Sequence, residues 1–322
     1  MTFISYSQNF EDVLLWRALG HLPKGFYIDV GANDPVEHSV TKAFYDAGWS
    51  GINIEPLPRF QKAFVNQRPR DINLAIAAGA TEADITLFDV PSVNGWASND
   101  PDVAKNHQSE GFEIIELKVP QSTLNHICSQ YVTGDIHFLK IDVEGFEGEV
   151  LRGLDLSKWR PWILIVEATM PNSRITNHET WEHLVVPHAY QFAYFDGLNR
   201  YYVANEHAEL VEKLSVQANV FDDFISTHLD KAWANASSAI ERANRAEAQS
   251  LEALAYFLEE HRNEKMSNEL KIAEYQQQIA TLTTQLTALY ASSSWRITRP
   301  LRWFFRKLAS SRDAKMHSNR SS

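Results

Sequence analysis

Residues 1–228 predict an α/β domain built on a mostly parallel, twisted sheet with flanking helices, followed by a long helix and a basic tail. Three observations predict the domain. Short apolar runs of strand length recur through it, and helical periodicities separate the early ones. A glycine turn closes the run Tyr27-Ile28-Asp29-Val30-Gly31, and an acid closes the next run at Glu55, at the spacing of a strand–helix–strand unit. The runs are continuously apolar, as expected of parallel strands covered on both faces.

The expected strands span 26–30, 51–54, 72–77, 85–90, 114–119, 137–141, 162–166 and 191–195. Between the first two, Val40, Ala43, Phe44 and Ala47 repeat at helical spacing, and Gly48 supplies a stop. After the second, Phe60 and Phe64 lie one turn apart in a helix expected over 59–65. Residues 89–113 interrupt the pattern with Pro91, Asn94-Gly95, Asn99-Asp100-Pro101 and Gly111; they read as an insertion or lid near the site.

From 229 to 291 the composition changes to Ala, Glu, Gln, Leu and Thr, without Gly or Pro. With Leu251 at heptad position a, nine of the twelve a and d positions to Leu289 are apolar or aromatic, which predicts a coiled coil and a homo-oligomer. His261, Lys265 and Asn268 interrupt the seam, where polar residues fix register or strand number. In the tail, 292–322, Pro300 suits a first helical turn, and Leu301, Phe304, Phe305 and Leu308 follow at helical spacing beside Arg302, Arg306 and Lys307. With Trp295 and Trp303, this pattern over 295–308 matches an interfacial helix that contacts a membrane surface.

Residues 291–322 carry eight basic side chains against Asp313 alone, so the net charge of −11 conceals a body of about −18. An acidic body is a poor nucleic-acid binder. The single cysteine, Cys128, excludes an internal disulfide framework and a cysteine-rich metal site. Glu11 and Asp12 fall where a signal peptide needs an apolar core, and no apolar stretch approaches the ~20 residues of a membrane span. The expected location is cytoplasmic, peripheral on the inner membrane face.

In a parallel sheet, the turn at Gly31 and the strand end at Glu55 lie side by side at the ligand-binding edge. No second or third glycine follows Gly31, only Asn33, Asp34 and Pro35, so a dinucleotide pyrophosphate would be poorly cradled. A Walker-type phosphate loop is also missing. S-adenosylmethionine needs only one close approach; its cationic groups would suit Asp29, Asp34 and Asp142, and its ribose diol would suit Glu55. A second cluster, Asp142, Glu144 and Glu147, crowds three carboxylates around the Gly145 turn after the strand that carries Lys140. A sulfonium, a divalent metal or a protonated substrate would each relieve their repulsion.

The segments Tyr6-Ser-Gln-Asn-Phe-Glu-Asp12, Asp29-Val-Gly-Ala-Asn33, Glu55-Pro56 and Leu139-Lys-Ile-Asp-Val-Glu-Gly-Phe-Glu147, with weaker support at Asn73–Ala78 and Glu167, resemble the FkbM family of S-adenosylmethionine-dependent methyltransferases. The resemblance covers roughly 3–205 and implies a class I Rossmann-like fold and O-methylation, often of sugar hydroxyls. It implies a cofactor side at Asp29, Gly31, Asn33, Glu55 and Ala77, and a substrate side at Gln8, Glu11, His38 and Glu147. Many members have Gly two places after Asn33, where this chain has Pro35.

Methyl transfer to an alcohol needs alignment and a proton acceptor. Asp142 and Glu144 are the leading catalytic candidates; His38 and His137 are further ones. No metal site is assigned, because two carboxylates do not complete one. The expected acceptor is a glycan or glycolipid. The tail also resembles the Ser-Trp-Arg-x-Thr-x-Pro-Leu-Arg ends of bacterial polysaccharide-assembly proteins. The alternative is a catalytically inactive scaffold in a polysaccharide-assembly complex.

Overall fold

The computed structural model describes residues 2–93, 95–171, 173–300 and 303. Two compact units divide the chain, Met1–Ala234 and Asn235–Ser322. In chain order the first contains β1 (Phe3–Ser5), α1 (Glu11–Leu19), β2 (Phe26–Val30), α2 (Lys42–Asp46), β3 (Ser50–Ile54), α3 (Pro58–Gln67), β4 (Ile72–Leu74) and β5 (Ala77–Ala78). There follow β6 (Ala83–Asp89), α4 (Pro101–Ser109), β7 (Ile115–Ser122), α5 (Leu124–Tyr131), β8 (Phe138–Ile141), α6 (Glu147–Arg152) and β9 (Ile163–Glu167). It closes with β10 (Tyr190–Phe195), β11 (Asn199–Ala204), α7 (Leu210–Leu214), β12 (Phe224–Ser226) and the first turns of α8 (Thr227–Ala291).

The main sheet has seven strands in the order β10-β11-β9-β8-β2-β3-β4. β4, β3, β2, β8 and β9 pair in parallel, and β11 is reversed between β9 and β10. The chain runs outward from β2 to β4, returns to lay β8 on the other side of β2, and runs outward again. Open α/β sheets bind ligands at the carboxyl ends of the strands beside such a reversal. Val30 is in register with Ile54 on one side and Ile141 on the other. Gly31, Glu55 and Asp142 therefore leave the sheet at one level.

Alternate residues along the central strands feed two cores, as the strand period of two requires. Ile28, Ile52, Leu139 and Leu164 pack with Leu124 and Ile127 of α5 and Val150 and Leu151 of α6. Tyr27, Phe138, Ile163 and Tyr201 pack with Leu14 and Leu15 of α1, Phe44 of α2 and Leu210 of α7. Both faces are covered, which is why the strands read as unbroken apolar runs.

The expected strand 72–77 divides in two. The Leu74 carbonyl accepts from the Glu55 N–H (3.0 Å), after which the chain leaves the main sheet and β5 joins β7 and β6 in a separate three-stranded sheet. The 89–113 insertion contains α4, started by Asp100, whose carboxylate accepts from the Asp102 N–H (2.8 Å), with Pro101 in the first turn. β1, β11 and β12 are additional strands. Three residues are too few to establish a period in β1 and β12, and Asn199 and Arg200 mask the start of β11.

Most of α8 lies in the second unit. Its seam positions Leu251, Leu258, Ile272, Ile279, Leu282, Leu286 and Leu289 are all exposed in the single chain. α9 (Ser293–Ile297) follows, and Arg299 and Pro300 are helical. Leu301, Phe304, Phe305 and Leu308, on which the expected apolar face of the tail rests, lie outside the described residues. Among the described residues no helix is long and apolar enough to cross a membrane.

Candidate active site

β2 ends at Gly31, whose φ of 75° lies in the left-handed region. A Cβ there would stand 1.8 Å from the Asp142 carbonyl oxygen, so only glycine lets the turns after β2 and β8 meet. The Gly31 and Ala32 N–H groups both donate to the Ile54 carbonyl, at 3.0 and 3.2 Å. Beyond Asn33 the loop is anchored from below. Arg68, fully buried, donates to the Pro35 carbonyl from Nε (3.1 Å) and Nη2 (2.6 Å) and to Ser39 Oγ (3.0 Å). This buried anchor gives the proline-containing loop a fixed course.

Glu55 joins the turn after β2 to the one after β3. Its Oε2 accepts from the Asn33 N–H (2.9 Å) and its Oε1 from the Leu57 N–H (2.8 Å). Burial pushes its pKa up to about 7, even though both bonds favour the ionised form. Each oxygen keeps a lone pair for a further donor. Asp29 lies opposite Lys140 in the β2–β8 register. The Lys140 ammonium is 3.1 Å from Asp142 Oδ2 and 3.7 Å from Asp29 Oδ1, and Thr41 Oγ1 donates to Asp29 Oδ2 (3.1 Å). Burial works to discharge Lys140, but Asp142 and Asp29 outweigh it and raise its pKa. The lysine partly neutralises the carboxylates, a role the sequence did not reveal.

After Asp142, Glu144 takes a left-handed φ of 56° and Gly145 one of 100°. Glu147 Oε1 clamps this turn by accepting from the Val143 and Gly145 N–H groups, at 3.2 and 3.0 Å. Burial first, then repulsion from Asp142 and Glu147, pushes the Glu144 pKa up to about 8. Glu167, at the end of β9, is pushed to about 10 by burial and then by Asp142, Glu144 and Glu147. Four carboxylates thus gather at the neighbouring ends of β8 and β9 beside Lys140, and Glu144 and Glu167 hold their protons at neutral pH.

These elements enclose a cavity of 530 Å³, within the range of small-molecule sites. Its lining divides by chemistry. Leu57, Ala77, Ile85, Leu87 and Ala97 belong to an apolar cluster on the side of the small sheet. Asp29, Glu55, Lys140, Asp142 and Glu144 line it from the strand ends. Gly95 to Asn99 of the 89–113 segment contribute Trp96, which stacks on His107 of α4 with ring centroids 4.6 Å apart.

Gln8, Glu11 and His38 line the same cavity, together with Gly31, Asn33 and Ala77. Glu11 is buried, accepts from the Asn9 N–H (2.9 Å) and Asn199 Nδ2 (3.0 Å), and is pushed up to about 7 by burial and then by Asp196. Two expectations need correction. Glu147 is fully buried and does not line the cavity, because its carboxylate is turned into the loop that it clamps. His137 lies just before β8, at the opposite strand end, where Nδ1 accepts from the Phe26 N–H (3.1 Å).

The family model of the methyltransferase FkbM domain matches residues 29–218, well over half of the chain. The chain belongs to the FkbM methyltransferase family. The FkbM domain implies a Rossmann-like fold, in keeping with the mostly parallel sheet. The match opens at Asp29, so Gln8 and Glu11 bring to the cavity side chains that precede the matched FkbM segment. No curated protein sequence matches the chain.

Proposed function

We propose that this protein is an S-adenosyl-L-methionine-dependent O-methyltransferase acting on a sugar hydroxyl of a glycan or glycolipid. The observation that carries the reading is that Gly31, Glu55 and Asp142 open into one cavity, apolar on one side and acidic on the other. The residues fit the cofactor. Among the described residues, Asn33 Oδ1 is buried in the cavity lining without a hydrogen-bond partner, and Asp29 Oδ1 has only the Lys140 ammonium at 3.7 Å. Buried acceptors of this kind are costly unless a ligand supplies donors. Bound there, S-adenosyl-L-methionine supplies an electrophilic methyl group on a cationic sulfur.

Glu55 holds the ribose hydroxyls, Leu57, Ala77, Ile85 and Leu87 take the purine, and Asn33 and Asp29 take the ammonium end. Lys140 fixes the orientation of Asp142 through their ion pair. Glu144 accepts the hydroxyl proton: a carboxylate pushed up to about 8 is a far stronger base than an ordinary glutamate. Trp96 offers an aromatic face to the acceptor, and Gln8 and His38 offer polar contacts at the mouth. The FkbM resemblance supports a sugar hydroxyl as acceptor. The heptad seam supports assembly of copies through 251–289, and the basic aromatic pattern of 295–308 supports peripheral contact with a membrane surface.

Calorimetry on the full chain tests the first step. Micromolar binding of S-adenosyl-L-methionine, lost in Glu55→Ala, is expected; folded protein that binds none refutes the reading. Transfer of labelled methyl to lipid-linked glycan then tests the acceptor.

A further inference from the structure

Glu37, His38 and His228 bring three ligand atoms within 4.8 Å of one another, in the one such group among the described residues. We infer that they form a binding site for a divalent transition-metal ion at the mouth of the cavity, distinct from the carboxylate cluster at the end of β8. Glu37 and His38 line the cavity, and His228 stands on the first turn of α8. The two histidines are 190 positions apart, so their meeting reflects the fold and not local sequence. Their rings lie 6.4 Å apart, centre to centre.

The backbone beneath this group is anchored on every side. Asp34 Oδ1 accepts from the Val36 and Glu37 N–H groups, both at 2.8 Å, and the buried Arg68 grips Pro35 and Ser39 on either flank. The segment Ser5 to Ser7 sits between the two halves. Ser7 bridges to His38, and Ser5 pairs with Ser226, two residues before His228. That segment is held by the buried Asp12, which accepts from Ser5 Oγ (2.7 Å), the Tyr6 N–H (2.7 Å) and Ser7 Oγ (2.6 Å). One fixed segment therefore positions the backbone of both ligand-bearing elements, and only side-chain rotation is left for the ion to order.

The donor set selects the ion. Two imidazoles and one carboxylate suit zinc, cobalt or nickel, whereas magnesium and calcium prefer all-oxygen sites. Metal–ligand bonds of 2.0–2.1 Å place tetrahedral ligand atoms about 3.4 Å apart. All three side chains are exposed, so rotation about their χ angles closes the remaining gap without moving the core. Three protein ligands leave a coordination position open to water or to an oxygen ligand at the cavity mouth. This site does not depend on methyl transfer and stands or falls separately from it.

The test is titration of the full chain with Co²⁺, read by its visible d–d absorption, and with Zn²⁺, read by calorimetry and thermal melting. One ion per chain is expected, with affinity about tenfold weaker or worse in His38→Ala and in His228→Ala. His183→Ala, an exposed histidine elsewhere, and Asp142→Asn should bind as wild type. Because the ligands are exposed, His38→Ala and His228→Ala should melt with wild type when no metal is added, and Zn²⁺ should raise the midpoint of every protein tested except those two. Binding that survives His228→Ala, binding lost in Asp142→Asn, or folded protein that takes up no cobalt would overturn the assignment.

Discussion

Gly31 and Asp142 meet backbone to backbone, so closely that a Cβ on the first would stand 1.8 Å from the carbonyl oxygen of the second. Gly31→Ala should therefore destabilise the domain by about 2–4 kcal/mol, through overlap added to a left-handed φ. It should also weaken cofactor binding at least about tenfold by spreading the turns after β2 and β8. Gly48→Ala is the control: its φ is also positive, at 94°, but nothing lies within 4 Å, so only about 1 kcal/mol is expected. Denaturant unfolding separates the two variants.

Replacing Glu144 by Gln should lower kcat about 10²- to 10⁴-fold and leave donor affinity unchanged. In the wild type, kcat/KM should rise with pH as Glu144 loses its proton through about 8, and the variant should lose that limb. A variant as active as wild type at every pH would remove Glu144 from the chemistry.

Stability should fall as the solution is made more alkaline. Glu11 and Glu55 are held up at about 7 and Glu144 at about 8, all above the ordinary 4.5. Below the unfolded value both states carry the proton. Above it the unfolded chain releases the proton while the folded chain keeps it, so the contribution to stability is lost as pH rises through the folded values. Chemical denaturation should report a loss of several kcal/mol between pH 5 and pH 8, with a shallower slope in Glu144→Gln.

The uncovered seam of α8 should associate in solution. Leu282 and Leu286 are 64% and 50% exposed in the single chain, and burying each would contribute about 1.5–3 kcal/mol. Sedimentation equilibrium should find an oligomer of the full chain and a monomer of the Leu282→Glu, Leu286→Glu double variant. The melting of the α/β unit should be the same in both.

The sheet was legible because its central strands are covered on both faces, which leaves an apolar run with little room for ambiguity. Gly31, Glu55 and Asp142 were legible for a related reason: residues that follow in-register strands must emerge together. Less could be read where a role depends on a distant partner. Lys140 looked like a strand lysine until Asp29 and Asp142 were found on either side of it. Glu147 belongs to the acid cluster, but it is buried away from the cavity and its Oε1 clamps the turn by accepting from two backbone N–H groups. His228 carries no local signal at all, since its neighbours in space come from the loop after β2.

The parallel pairing of β1 with β12 works as a clasp. A fragment trimmed to the matched span 29–218 would shed both halves of it, and with them Gln8 and Glu11. Such a fragment would also lose Phe26, Tyr27 and Ile28 of the central strand β2 and one wall of the cavity, so silence from it in an assay would say nothing about the intact protein.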